Sequence, residues 1–153
     1  MSRGVLSLFV FAAILLTNDQ ANAAGALAEG IAPGGVVKGY GYGIHVNGAD
    51  ADTARTAALA ACQKPPKQLA SGAPPDAAQA KARAQCAVVS SFSNKCVAVA
   101  LDPKDGTPGA GWAVGDTQKQ ADDEAVARCR NTAGTNRRDF CKIISQLCDG
   151  TAK

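Results

Sequence analysis

The 153-residue sequence has a single histidine, His45, and no cysteine pair with the Cys-x-x-Cys spacing. A structural zinc site takes about four cysteine or histidine ligands, and the chain offers no such set. A Ser-His-Asp or Cys-His catalytic group would have to use His45, which lies in a strand-like segment where packed or surface histidines are common. The sequence therefore predicts no metal site and nominates no catalytic residue.

The chain also lacks the patterns of cofactor binding and of nucleic-acid binding. The stretch Gly39–Gly43 alternates as a strand does and is not followed directly by a helix, so it fails the dinucleotide fingerprint. The net charge is only +3, and no run of like charge is long enough to build a nucleic-acid groove. We therefore predict no cofactor and no nucleic-acid partner, and a composition with 46% hydrophobic residues predicts one small globular domain.

Residues 1–23 have the pattern of a secretory signal peptide. Arg3 supplies a positive start, Val5–Leu16 is apolar, and Ala21-Asn22-Ala23 has the small-x-small pattern that signal peptidase accepts. The apolar run is shorter than the roughly 20 residues that cross a bilayer, which argues against the alternative of an uncleaved anchor. We predict cleavage near Ala23, export of residues 24–153 to the periplasm or the extracellular medium, and no stable membrane insertion afterwards.

The remaining chain shows one pattern of elements twice. Each half is predicted to run strand, strand, helix, strand, at 25–29, 36–45, 50–62 and 85–92, then at 95–101, 111–115, 118–131 and 140–147. Each helix carries small residues at four-residue intervals that end in a cysteine: Ala54, Ala58 and Cys62, then Ala121, Ala125 and Cys129.

These patterns predict a small, disulfide-stapled α+β domain built from a duplicated β-β-α-β unit. Its two main helices are expected to pack on an antiparallel or mixed sheet. Coincidence within an alanine-rich chain is the alternative to duplication. The halves differ by a proline-rich insertion at 64–85, which we expect to be exposed and to hold a short helix ending near Arg83.

The six cysteines predict three disulfides in an oxidising compartment. In each half one cysteine ends the helix and another opens the following strand. This equivalence predicts the bridges Cys62–Cys86 and Cys129–Cys141. Cys96 and Cys148 remain, and we predict that their bridge ties one half to the other.

Two groups of residues are candidates for partner binding. Arg130, Arg137 and Arg138 belong to the densest positive cluster, in or beside the loop that the bridge Cys129–Cys141 would close, where they could meet an acidic partner. Tyr40 and Tyr42 share one face of their strand, and the glycines on the other face allow a neighbouring element to approach closely. A solvated basic loop and a packed sheet face are the respective alternatives.

Three segments in this order, together with the two alanine-rich helices, resemble a known family: CAVVSSFSNKCVAVAL at 86–101, GWAVG at 111–115 and CKIISQLC at 141–148. The family is the bacterial domain of unknown function 4189 (DUF4189), and the resemblance extends from about Gly25 to Asp149. It implies an exported, compact, disulfide-bearing α+β domain without an assigned enzymatic activity, so it transfers no catalytic residue. The first half departs from the pattern by its insertion and by Tyr42, where the second half has Trp112.

The leading functional hypothesis is a non-enzymatic binding or inhibitor-like module directed at a protein or an envelope component. The competing hypothesis is a small secreted hydrolase that uses carboxylates near the turn-rich loop, such as Asp102, Asp105 or Asp116. That enzyme requires two carboxyl groups that converge in a cleft and have raised pKa values. A structural component of the envelope is a third alternative.

Overall fold

The computed structural model describes residues 23–64, 77–104 and 106–153. The predicted signal peptide up to residue 22, most of the proline-rich insertion and Asp105 lie outside the described residues. The described strands and helices are, in chain order, β1 Ala24–Ile31, β2 Tyr40–Gly48, α1 Ala51–Gln63, α2 Ala77–Ala84, β3 Ala87–Phe92, β4 Cys96–Leu101, β5 Ala110–Gly115, α3 Gln118–Thr132 and β6 Lys142–Cys148. None of these helices is long and apolar enough to cross a membrane.

The start of β2 differs from the expected strand at 36–45. Val36–Lys38 forms a short 3-10 turn, and β2 begins only at Tyr40. The glycines on either side of the turn, Gly35 and Gly39, have φ values of 91° and 152°, a region that favours residues without a Cβ. The glycines therefore reverse the chain where the sequence pattern predicted continuous strand.

The strands form two sheets of three antiparallel strands each, where one sheet was expected. Sheet A has the order β2-β1-β3, and sheet B has the order β5-β4-β6. Helix α1 packs on sheet A and α3 packs on sheet B, while α2 lies beside α1 against β1 and β2. The other faces of the two sheets meet in a shared apolar cluster. The domain therefore has four layers, in the order α1, sheet A, sheet B and α3.

Side-chain alternation along the central strands separates small residues from large ones. The alanines of β1 face α1, and Cys96, Ala98 and Ala100 of β4 face α3. The residues between them point the other way, so Leu27 of β1 packs with Val97 and Val99 of β4 between the sheets. Small residues therefore line both helix–sheet contacts, and branched and aromatic residues fill the layer between the sheets.

Glycines in the outer strands let the helices approach closely, as the Tyr-Gly alternation predicted. A Cβ added at Gly43 would lie 2.3 Å from the backbone oxygen of Ala58 in α1. A Cβ added at Gly111 would lie 2.4 Å from the backbone nitrogen of Cys129 in α3. Both helices therefore lie directly against the backbone of the neighbouring strand.

The strand register shows which residue of the first half occupies the position that Trp112 has in the second half. Leu27 in β1 pairs with Ile44, and Val99 in β4 pairs with Trp112. On the other side of each central strand, Leu27 pairs with Ser90 and Val99 pairs with Ser145. Ile44, and not Tyr42, therefore stands where the second half has Trp112.

The structure contains the bridges Cys62–Cys86, Cys129–Cys141 and Cys96–Cys148. The first two join the end of a helix to the start of the following strand. The third joins directly opposed residues of β4 and β6, so it lies within sheet B. The expectation that it ties one half to the other is therefore wrong.

A buried carboxylate links the two halves instead. Asp149, just after β6, accepts hydrogen bonds from the backbone nitrogens of Asn47 at 2.6 Å and Asn94 at 3.1 Å. Asn47 and Asn94 have φ values of 57° and 51°, the left-handed conformation that asparagine tolerates. The Asn47 side chain in turn accepts a hydrogen bond from the Gly150 backbone at 2.9 Å. The segment after β6, through Asp149 and Gly150, thus hydrogen-bonds to both the end of β2 and the β3–β4 turn.

Candidate functional site

The Cys129–Cys141 bridge, whose Cα atoms are 5.9 Å apart, closes residues 130–140, which comprise the last three residues of α3 and the chain that leads toward β6. We call this segment the basic loop. It leaves α3 after Thr132 and passes through Gly134, whose φ is 75°. It then returns through the 3-10 turn Arg138–Phe140. The covalent link at its base restricts how far the loop can move.

Arg137 anchors the basic loop to the β4–β5 turn. Its Nε and Nη2 donate to the two carboxylate oxygens of Asp102 at 2.7 and 2.6 Å. The Asp102 side chain has no solvent exposure, and it also accepts a hydrogen bond from the Lys104 backbone at 3.1 Å. The hydrogen bonds from Arg137 lower the pKa of Asp102 to about 2. Arg137 is therefore an anchor within the domain, and its guanidinium is already paired although the side chain remains 26% exposed.

The anchored guanidinium also positions an exposed aromatic ring. The Arg137 guanidinium carbon lies 4.0 Å from the centroid of the Phe140 ring. Phe140 is nevertheless 48% exposed. The exposed cations Arg130 and Arg138 lie on the same loop. The basic loop thus presents one aromatic ring and two arginines on a backbone held by a disulfide and a buried ion pair.

Tyr40 and Tyr42 lie elsewhere, in the layer between the sheets. Their ring centroids are 6.3 Å apart, and both pack on the buried residues of that layer. Burial raises the pKa of Tyr40, and the nearby Glu29 carboxylate adds to the effect. Burial also raises the pKa of Tyr42, which a hydrogen bond with Ser145 of β6 partly offsets. These contacts match the packed sheet face that was the alternative to a recognition patch.

The carboxylates of the hydrolase hypothesis do not converge in the described residues. Asp102 follows β4 at one end of the β4–β5 hairpin, and Asp116 follows β5 at the other end. Asp102 has a lowered pKa, the opposite of what a general acid needs, and exposed Asp116 pairs with Lys95. Asp105 lies outside the described residues. Within the described residues there is no group of three or more His, Cys, Asp or Glu side chains that could hold a metal ion.

Sequence reasoning identified the basic loop but missed the roles of Asp102, Arg137 and Phe140. The two partners of the ion pair are 35 positions apart, so no local spacing marks them. The signal that could have been used is the aromatic residue two positions after the arginine pair in the sequence RRDF at 137–140.

Comparison with known proteins places the whole described sheet architecture in one family. No curated protein and no solved structure matches the chain. The family model described as domain of unknown function (DUF4189) matches residues 24–148, from the first residue of β1 to the last residue of β6. The protein therefore belongs to the DUF4189 family.

Proposed function

We propose that the protein is an exported binding module that recognises a protein or envelope component through the basic loop. The observation that carries the proposal is the exposed Phe140 ring, held in place by Arg137 and flanked by exposed Arg138. Aromatic and arginine side chains contribute most strongly to protein interfaces. A loop already fixed by a disulfide and an ion pair loses little conformational entropy on binding. The exposed arginines favour an acidic partner surface.

The test is an affinity capture with the oxidised chain 24–153 as bait against periplasmic, envelope and medium fractions. The loop variant is Arg138→Ala/Phe140→Ala, which leaves Arg137 and its ion pair intact. The matched control is Lys119→Ala/Ile31→Ala, which removes an exposed cation and an exposed apolar side chain elsewhere. We expect a partner that the control captures and the loop variant loses.

Loss of the partner in both variants, or in neither, would reject the basic loop as the binding site. Melting temperature and the count of free thiols establish that each variant is folded and oxidised. Arg137→Ala is unsuitable for this purpose because it would leave the buried Asp102 carboxylate unpaired.

Export to the periplasm or the extracellular medium is the second part of the proposal. The signal-like residues 1–23 end where β1 and the family match begin, and the three disulfides suit an oxidising compartment. Mass spectrometry of the exported protein should find Ala24 as the first residue. Full-length protein retained in the cytoplasm with reduced cysteines would contradict export.

We further infer that the two halves are copies of one β-β-α-β unit. The two sheets have the same strand order, with the first strand of each half in the centre. The register of the last strand shifts at the same place, beside Val89 in β3 and beside Ile144 in β6. The helices cross equivalent glycines, Gly43 and Gly111. These shared irregularities support a common origin more strongly than the alanine pattern does.

A further inference from the structure

Strand β6 continues directly from the basic loop and lies at the edge of sheet B. Its only strand partner among the described residues is β4, on one side. The backbone hydrogen-bonding groups on its other side therefore have no partner strand within the described part of the chain. An edge of this kind can accept an additional extended strand.

Apolar exposure is concentrated on this edge. Ile144 and Leu147 are each 41% exposed, and Phe140 lies immediately before the strand. Ile144 lies at the point where the register with β4 shifts. A strand added beside β6 would cover these side chains as cross-strand neighbours.

The charge on strand β6 itself is positive. The strand contains the exposed Lys142 and no acidic residue, while the exposed Arg138 and Asp139 just before Phe140 carry opposite charges. The equivalent edge strand β3 has the same register shift and Val89 with 39% exposure, but its sequence AVVSSF contains no charge. The positive charge therefore distinguishes β6 from its structural counterpart.

We propose that the β6 edge binds an extended acidic segment of the partner protein by strand addition. This proposal rests on the proposed binding function and specifies how the partner is held. Backbone hydrogen bonds to β6 would provide affinity, while Lys142 and Arg138 would select acidic side chains. Ile144 and Leu147 would contact apolar side chains of the added strand.

The probe is a fluorescein-labelled peptide of about ten residues, enough to span a strand of this size, in which valine and glutamate alternate. One comparison peptide has lysine in place of glutamate. Another has proline at alternate positions, which removes backbone donors. Fluorescence anisotropy with the oxidised chain 24–153 should show roughly tenfold tighter binding of the glutamate peptide than of either comparison peptide, and weaker binding at high salt.

The chain offers a matched pair of variants. Ile144→Asp places a negative charge on the β6 edge, and Val89→Asp places the same charge at the equivalent point of β3. We expect Ile144→Asp to weaken binding of the glutamate peptide by about tenfold and Val89→Asp to change it by less than about twofold. Peptide binding should also slow amide hydrogen exchange in β6 and leave exchange in β3 unchanged.

Three results would overturn strand addition at β6: no binding of the glutamate peptide, equal binding of the proline peptide, or equal effects of the two variants. A dimer of the chain that Ile144→Asp dissociates would assign the edge to a second copy and also overturn the proposal. The proposed function is tested separately. If Arg138→Ala/Phe140→Ala loses the captured partner and Ile144→Asp retains it, the result supports the basic loop as the binding site and rejects strand addition at β6.

Discussion

At the scale of single residues, the Asp102–Arg137 ion pair decides whether the basic loop keeps its shape. Asp102→Asn should lower the free energy of unfolding by about 2 kcal/mol. This is less than the cost of breaking a fully buried pair, because the Arg137 side chain is 26% exposed. Urea denaturation measures the effect. The control Asp116→Asn removes an exposed carboxylate at the other end of the hairpin and should change stability by less than about 0.5 kcal/mol.

The same pair gives stability a defined pH dependence. The pKa of Asp102 is lowered to about 2 in the folded protein, below the value of about 4 expected in the unfolded chain. Its contribution is therefore complete above about pH 4 and is lost as the pH falls through about 2. The difference in stability between the native chain and Asp102→Asn should shrink across that window. A difference that stays constant from pH 5 to about 2 would contradict the lowered pKa.

At the scale of elements, the contact between each helix and its outer strand depends on a glycine. Gly43→Ala and Gly111→Ala each place a Cβ within 2.4 Å of helix backbone, which cannot move aside as a flexible side chain can. Each substitution should cost about 3 kcal/mol or more in unfolding free energy. Gly41→Ala is the control, because its Cβ would lie 3.6 Å from its nearest neighbour, an ordinary contact. Equal destabilisation by all three would show that loss of glycine itself is the cause.

Most element types were predictable from local patterns. The alanine and cysteine spacing predicted α1 and α3, and Asp50 and Thr117 cap their first turns by accepting from Thr53 and Gln120. The division into two sheets was not predictable in the same way, because strand alternation shows which residues share a face but not which strands pair. The Tyr42 equivalence failed because Tyr40, Tyr42 and Ile44 each follow a glycine, as Trp112 does, and only the strand register shows which of them corresponds to Trp112.

At the scale of the whole molecule, Asp149 joins the halves through two backbone amides. Asp149→Ala should lower stability by about 3 kcal/mol, because the Asn47 and Asn94 nitrogens would lose their acceptor. Hydrogen exchange at these two amides should accelerate more than exchange in the sheets. Asp139→Ala, at an exposed carboxylate, is the control. Unchanged protection at Asn47 and Asn94 would contradict the role given to Asp149.

A disulfide that spans more of the chain should stabilise the fold more, but only with the logarithm of the number of residues spanned. Chain entropy predicts about 3 kcal/mol for Cys129–Cys141, with a separation of 12, and about 4 kcal/mol for Cys96–Cys148, with a separation of 52. Full reduction should therefore lower the melting temperature strongly or unfold the domain. The measurement is a thermal melt with and without reductant, with thiol titration to show that all six cysteines are free. An unchanged melting temperature after complete reduction would contradict this prediction.

The candidate site was predictable only in part. Clustered arginines beside two cysteines pointed to the basic loop, since charge density and cysteine position are visible in sequence. The distinction between Arg137 as an anchor and Arg138 as an exposed cation depends on Asp102, which the fold brings from another loop. The apolar edge of β6 was not predictable for a similar reason. The sequence of β6 indicates a strand, but it does not show that this strand lies at the edge of a sheet.

The bridges do not all join successive cysteines. Cys96 is the third cysteine from the amino terminus and pairs with the sixth, while the fourth and fifth, Cys129 and Cys141, pair with each other. An oxidant that joined cysteines in chain order would first form the native Cys62–Cys86 bridge and would then link Cys96 to Cys129. Thiol–disulfide exchange must then undo that bond before Cys148 can take its place. Oxidation in chain order would therefore require disulfide isomerisation as a second step, and the native Cys96–Cys148 bridge can form only once the chain through Cys148 is present.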